Sequence, residues 1–260
     1  MDTLQAILLG LVQGITEFLP VSSSGHLQIA KELLGVEIEN NVTFDVTLHA
    51  ATVLSTMLIL WQELWRLLKG LFSRTFNDEQ AYVIKIVLSM IPAGVIGVLF
   101  ADQIEALFSS LWFVGLMLLL TAALLTFAYY AKPRQKATIG YRDAFLIGCA
   151  QAVATMPGLS RSGTTIATGL LLGNDKSAVA NFSFIMVIPV ILGKMILDIA
   201  SGEMAAMSVP TEALVSGFLA AFVSGALACK FMIEIVKRGR LVWFAVYCAI
   251  MGAICLIATA

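Results

Sequence analysis

Residues 13–26 read Gln13-Gly14-Ile15-Thr16-Glu17-Phe18-Leu19-Pro20-Val21-Ser22-Ser23-Ser24-Gly25-His26. A carboxylate, three consecutive serines, a helix-breaking proline and one of the chain's two histidines fall together here, directly after the purely apolar run 6–12. Polar groups in an apolar setting are costly unless paired or used, so an ionisable residue at membrane depth marks a functional site by default. A second stretch, Pro157-Gly158-Leu159-Ser160-Arg161-Ser162-Gly163-Thr164-Thr165, has the same character. The rest of the chain reads as the scaffold that brings the two together.

Composition sets the class. The 260 residues are 59% hydrophobic and 13% charged, against roughly 25% charged in soluble domains. This predicts an integral membrane protein. A formal net charge of −1 removes nucleic-acid binding as a default function. Cys149, Cys229, Cys248 and Cys255 lie scattered in apolar runs with no metal-type spacing and read as small hydrophobes in helices. The first residues, Met1-Asp2-Thr3, lack the basic region of a cleavable signal.

Residues 3–12 are apolar but too few to cross about 30 Å of hydrocarbon as a helix. Pro20 and the run 22–25 then break the segment. A short helix, a break and a short helix is the pattern of a re-entrant hairpin, tolerated at membrane depth only where protein or water surrounds it. Residues 31–45 read as a polar, mostly acidic loop. Spanning helices are predicted at about 44–64, 82–100 (with Pro92 as a kink) and 111–131. A second broken segment covers 143–173, and further spans are predicted at about 178–199, 213–236 and 241–259. Trp61, Trp65, Trp112 and Trp243 fit anchors at the interface. The loops near 66–74, 132–142 and 237–240 are basic. Those near 102–105 and 201–212 carry Asp102, Glu105, Glu203 and Glu212 and no Lys or Arg. The positive-inside rule puts the first set in the cytoplasm and the second outside, with both termini outside.

An internal repeat supports this layout. Gly10 and Gly148, Gln13 and Gln151, Ser22 and Ser160, Ser24 and Ser162, Gly25 and Gly163, Gly35 and Gly173, and Phe44 and Phe182 share one constant offset of 138 positions, while Pro20 and Pro157 depart from it by one. Three spans lie between equivalent points, so the two copies run in opposite directions through the membrane. The expected fold is all-α: a single membrane domain over 1–260 with six transmembrane helices plus two re-entrant helical hairpins. Repeat one covers about 1–131 and repeat two about 139–260. The broken tips of such repeats meet near the midplane, where binding sites form.

The motif residues suggest chemistry. Gln13 and Glu17 share one helical face, and Glu17 is either an oxygen ligand for a divalent cation or a base. Ser23 and His26 are also one turn apart. A serine hydroxyl needs a neighbouring base to become a nucleophile, and His26 reads as that base or as an acid for the leaving group. Arg161 needs an anionic partner, either phosphate oxygens that match its planar fork or Glu17. Ser160, Ser162, Thr164 and Thr165 add hydroxyls beside a helix N-terminus, a ready anion site. Asp45 and His49 lie at the outer end of the first span, as entrance residues or an ordinary helix-end pair.

The two motifs together resemble the signatures of the bacterial undecaprenyl pyrophosphate phosphatase family, also called the bacitracin-resistance family, over essentially the whole chain. The resemblance implies hydrolysis of undecaprenyl diphosphate to the monophosphate and inorganic phosphate, which recycles the carrier lipid of cell-wall synthesis. It implies a divalent cation such as Mg²⁺ or Ca²⁺, and a multi-pass protein of the bacterial inner membrane with its site open to the periplasmic face. By resemblance, Ser23, His26 and Glu17 are catalytic, and Glu17 and Gln13 hold the metal. Arg161, Ser160, Ser162 and Thr165, with Ser22 and Ser24, bind substrate. Several family members carry Glu where this chain has Gln13, so more of the cation's charge falls to Glu17. The implied partners are the lipid substrate and membrane lipids, with no nucleic acid; a homodimer is admitted but not required. Type 2 phosphatidic acid phosphatases also use Ser-Gly-His and Ser-Arg signatures, but they need a further histidine after the Ser-Arg, where this chain offers only Thr164 and Thr165. The rival function is a lipid flippase or transporter, since inverted repeats with broken helices typify carriers.

Overall fold

A computed structural model describes residues 1–36, 42–108, 110–131, 136–200 and 209–259. The described residues form twelve helices: α1 (Thr3–Phe18), α2 (Ser23–Leu33), α3 (Val42–Ile59), α4 (Trp61–Leu71), α5 (Asp78–Leu99), α6 (Ala101–Phe108), α7 (Leu111–Tyr130), α8 (Tyr141–Val153), α9 (Arg161–Leu171), α10 (Lys176–Ala200), α11 (Thr211–Arg238) and α12 (Val242–Ala258).

Local chemistry starts and stops them. Asp2 caps α1 in a reciprocal box with Gln5, and Asn77 and Ser110 cap α5 and α7. Such caps satisfy backbone N–H groups that have no partner within the helix. Gly239, with φ +69°, closes α11, as a left-handed C-cap requires.

Among the described residues, α5, α7, α10 and α11 are each long and apolar enough to cross a membrane. The predicted span 44–64 is interrupted. At Leu60 the chain turns by 80° from α3 into α4. Glu63, Arg66 and Lys69 follow at every third residue, and Leu67 is buried while Trp61 and Trp65 are exposed. One face of α4 is therefore too polar to continue through hydrocarbon. The predicted span 241–259 becomes α12, 17 residues long, or about 25 Å at 1.5 Å per residue. The region near 102–105, expected as a loop, is the short helix α6. Residues 31–45, also expected as a loop, begin as the end of α2 and finish inside α3; 37–41 lie outside the described residues, as do most of the expected outer loop 201–212 and residues 132–135 of the basic exit.

The helices pair in a regular way. α1 packs on α11 and α8 on α5, α3 packs on α11 and α10 on α5, and α7 packs on α12. Small residues set close approaches between these helices. A Cβ on Gly10 would sit 2.4 Å from the Gly217 carbonyl oxygen, and one on Gly148 would sit 2.3 Å from that of Ser89. Helices in lipid gain no hydrophobic energy from one another, so small residues that allow backbone-to-backbone contact hold them together. The largest apolar cluster lies beneath the second hairpin and includes Phe18, Ile147, Ile166, Phe182 and Phe184. Many large apolar side chains face outward on the long helices, among them Val87, Ile91 and Val95 on α5 and Val223 and Leu227 on α11. A lipid-facing surface requires this.

Candidate active site

α1–α2 and α8–α9 are two helical hairpins with matching ends. Ser22 caps α2 by accepting from the Gly25 N–H at 3.3 Å, and Ser160 caps α9 by accepting from the Gly163 N–H at 3.1 Å. In each, the cap shares a 3.3 Å hydroxyl contact with the serine two residues on, Ser24 or Ser162. The first helical residues, Ser23 and Arg161, therefore occupy equivalent places. One feature is unequal: Ser22 has φ +71° whereas Ser160 has φ −69°. Among the described residues Ser22 is the only non-glycine with positive φ. Such a conformation costs about 1–3 kcal/mol and persists where its surroundings enforce it.

The tips of the two hairpins touch. A Cβ on Gly163 would lie 3.1 Å from the Pro20 Cβ, and one on Gly25 would lie 3.5 Å from the Gly158 Cα. The Ser162 hydroxyl donates to the Leu19 carbonyl at 3.1 Å. Gly158, with φ +87°, packs so closely on α7 that a Cβ there would be 2.4 Å from the Val114 carbonyl oxygen.

Where the tips meet, Glu17 gathers three partners. Its Oε2 accepts from the Ser23 hydroxyl at 2.6 Å and from the Gln13 amide at 2.9 Å. Its Oε1 accepts from Arg161 Nη2 in an ion pair. Gln13 and Glu17 are buried, while Ser23, Ser24, His26 and Arg161 are partly exposed. A charge at this depth is sustained only when its lone pairs are satisfied, and both Glu17 oxygens are.

His26 is engaged elsewhere. Its Nδ1 lies 2.8 Å from the Ser22 carbonyl oxygen, which can only accept, so Nδ1 carries the hydrogen. Its Nε2 lies 2.6 Å from the Tyr247 hydroxyl. The sequence offered His26 as the base for Ser23 or the acid for the leaving group, and Glu17 as a cation ligand or a base; in the structure the Ser23 hydroxyl donates its hydrogen bond to Glu17.

A family model described as "Bacitracin resistance protein BacA" matches residues 6–254. The chain belongs to this family. The resemblance carried by the two motifs thus holds over nearly the whole sequence, and this BacA-family chain is a multi-pass membrane protein. Among similar curated proteins, one named undecaprenyl-diphosphatase from Bacteroides fragilis is 58% identical over 261 residues, covering 99% of this chain and 98% of that one. Another of the same name from Bacteroides thetaiotaomicron is 59% identical over 256 residues, 97% of each. One from Methanosphaera stadtmanae is 36% identical over 277 residues, 99% and 98% of the two chains.

The remaining motif residues of this BacA-family chain divide by what their hydroxyls do. Thr165 is fully buried and donates back to the Arg161 and Ser162 carbonyls at 2.9 and 3.3 Å. Its neighbour Thr164 instead has a buried hydroxyl with no hydrogen-bond partner among the described residues. Asp45 pairs with the buried Lys31 at 2.7 Å, and the His49 Nδ1 lies 2.8 Å from the Asp45 carbonyl oxygen.

The donor set near Glu17 suits a hard cation. The Gln13 amide oxygen is buried and has no hydrogen-bond partner among the described residues, beside one carboxylate and the Ser23 hydroxyl. Mg²⁺ is commonly held by one or two carboxylates together with substrate phosphate oxygens and water. Among the described residues no group of three His, Cys, Asp or Glu side chains comes together as a metal site, so such an ion here would rest on oxygen donors of mixed type.

Proposed function

We propose that this chain is an undecaprenyl-diphosphatase. It hydrolyses the long-chain isoprenoid diphosphate to the monophosphate and inorganic phosphate, recycles the carrier lipid of cell-wall synthesis and confers bacitracin resistance. The observation that carries this reading is the contact of Glu17 with both Ser23 and Arg161. It joins a candidate nucleophile, a candidate base and a phosphate-matched guanidinium across two hairpins, in a chain whose relatives bear that name.

The two hairpins are re-entrant and enter from opposite faces, in an inverted repeat of six crossings. Support comes from the constant offset, from the equal 11-residue helices α2 and α9, and from the exchange of partners whereby α1 sits on α11 as α8 sits on α5. α3, 18 residues long, and α12 supply the crossings that the four longer helices do not. Lys/Arg bias puts both termini outside, and the family resemblance implies a site open to the periplasmic side of the bacterial inner membrane.

The mechanism follows from the contacts. The terminal phosphate takes the Arg161 fork, and the α9 N-terminus adds favourable backbone dipoles. Glu17, released from Arg161, accepts the Ser23 proton. Ser23 Oγ bonds to the terminal phosphorus as the bond to the bridging oxygen breaks, and undecaprenyl monophosphate leaves. Water then cleaves the serine–phosphate bond, which releases inorganic phosphate and restores the hydroxyl. His26 manages the proton of the leaving or attacking oxygen. Glu17, the Gln13 amide oxygen and Ser23 would hold a divalent cation such as Mg²⁺ or Ca²⁺, whose charge would offset that on the phosphate oxygens. Phosphate release from undecaprenyl diphosphate by the purified chain tests the reading. Mass-spectrometric trapping of phosphate on Ser23 tests the covalent step, and its absence under rapid quench removes that step.

A second reading, a lipid carrier, is favoured by the same inverted repeat. Ser23→Ala separates the two: a carrier still moves lipid, whereas the phosphatase stops.

A further inference from the structure

Tyr247 was not singled out by either motif. It lies on α12, 221 positions after His26, in a helix that is otherwise apolar. Its hydroxyl is 2.6 Å from His26 Nε2. Its ring lies against the imidazole with centroids 5.5 Å apart and planes inclined by 21°. Nδ1 is already fixed as the protonated nitrogen by the Ser22 carbonyl. In the neutral ring Nε2 therefore carries the free lone pair, and the Tyr247 O–H donates to it. Both ring nitrogens are then held from outside the Glu17–Ser23–Arg161 cluster.

The placement of Tyr247 is itself well anchored. The next residue, Cys248, is fully buried and its thiol lies 3.4 Å from the Pro20 carbonyl oxygen, so α12 is tied to the tip of the first hairpin. α12 also packs along α7, the helix on which Gly158 of the second hairpin rests. Tyr247 remains 40% exposed, so packing alone does not demand its hydroxyl; a phenylalanine would fill the same space.

We propose that Tyr247 is a positioning residue for His26: its hydroxyl, by donating to Nε2, sets the orientation of the imidazole and fixes its Nδ1–H tautomer. This rests on the phosphatase reading above. An imidazole free to rotate about its side-chain bonds would sample unproductive poses, and catalytic groups lose efficiency steeply with small misplacements.

Tyr247→Phe in the full-length, detergent-solubilised chain keeps the stacked ring and removes only the hydroxyl. The expected result is a kcat about tenfold lower, the scale of one hydrogen bond, with KM within about twofold of the unaltered chain. A second readout does not depend on turnover. The chain has only two histidines, so its imidazole nitrogen NMR spectrum contains two rings, assigned with His49→Asn. The His26 Nε2 resonance is expected to move in Tyr247→Phe. An unaltered kcat beside an inactive His26→Ala overturns the role of Tyr247 alone, and so does an unmoved Nε2 resonance. Full activity in His26→Ala removes His26 from the reaction and overturns both the role of Tyr247 and that part of the mechanism.

Discussion

Glu17 and Arg161, 144 positions apart in the chain, form an ion pair between the ends of two different hairpins. The pair neutralises both charges, and in the proposed mechanism a substrate phosphate takes the carboxylate's place on the guanidinium.

Arg161→Ala is expected to lower kcat/KM for undecaprenyl diphosphate by at least about 10²-fold, the scale of losing one preorganised charge-stabilising group. Arg161→Lys keeps the charge and loses the planar fork, so it should fall between the two. Steady-state phosphate release checks the order, and a lysine variant as active as the unaltered chain would contradict the role of the fork.

Ser23→Ala removes one of the three partners of Glu17 and leaves the Arg161 pair in place. Turnover should disappear while substrate binding persists within a few-fold. Binding of a radiolabelled lipid diphosphate, measured beside phosphate release, separates the two effects.

The cation can be tested through Gln13. Chelation should abolish phosphate release, and Mg²⁺ or Ca²⁺ should restore it. Gln13→Glu adds a second carboxylate next to Glu17 and should lower the cation concentration needed for half-maximal activity, because affinity follows ligand charge. Gln13→Ala should raise it. Full activity under chelation would exclude the ion.

Gly158→Ala tests the tight seat of the second tip. A Cβ there meets the Val114 backbone at 2.4 Å from a residue with φ +87°, and strain of this kind costs about 1–3 kcal/mol. Gly97 on α5 has open space around it, so Gly97→Ala should stay within about 1 kcal/mol of the unaltered chain. Thermal unfolding in detergent should show a lowered Tm for the first and little change for the second.

Much of this was legible in the sequence because capping and helix breaking are local. Ser22 and Ser160 each stand three residues before a glycine, and that spacing alone marks the two helix starts. The bend at Leu60 was not legible, since neither proline nor glycine stands there; it is decided by where charges fall on a helix at the edge of an apolar layer. The backbone bonds of Thr165 to Arg161 and Ser162 were not legible, because the sequence does not tell whether a threonine in a helix bonds to the preceding turn. The partner of Ser23 was ambiguous because Glu17 and His26 are both near it in sequence; only the fold shows Ser23 bonded to Glu17 and the His26 ring bonded to Ser22 and Tyr247. Tyr247 left no signal, because one tyrosine in an apolar helix looks like any other until the chain folds back on itself.

The meeting of the two tips can be tested with Pro20→Cys and Gly163→Cys in one chain whose four native cysteines are replaced by alanine. A Cβ at 163 lies 3.1 Å from that of residue 20, close to disulfide range. The expected result is an intramolecular cross-link under mild oxidation that stops phosphate release, with activity returning on reduction. Failure of the cross-link to form, or a fully cross-linked chain that turns over at the reduced rate, would contradict a site assembled from both hairpins.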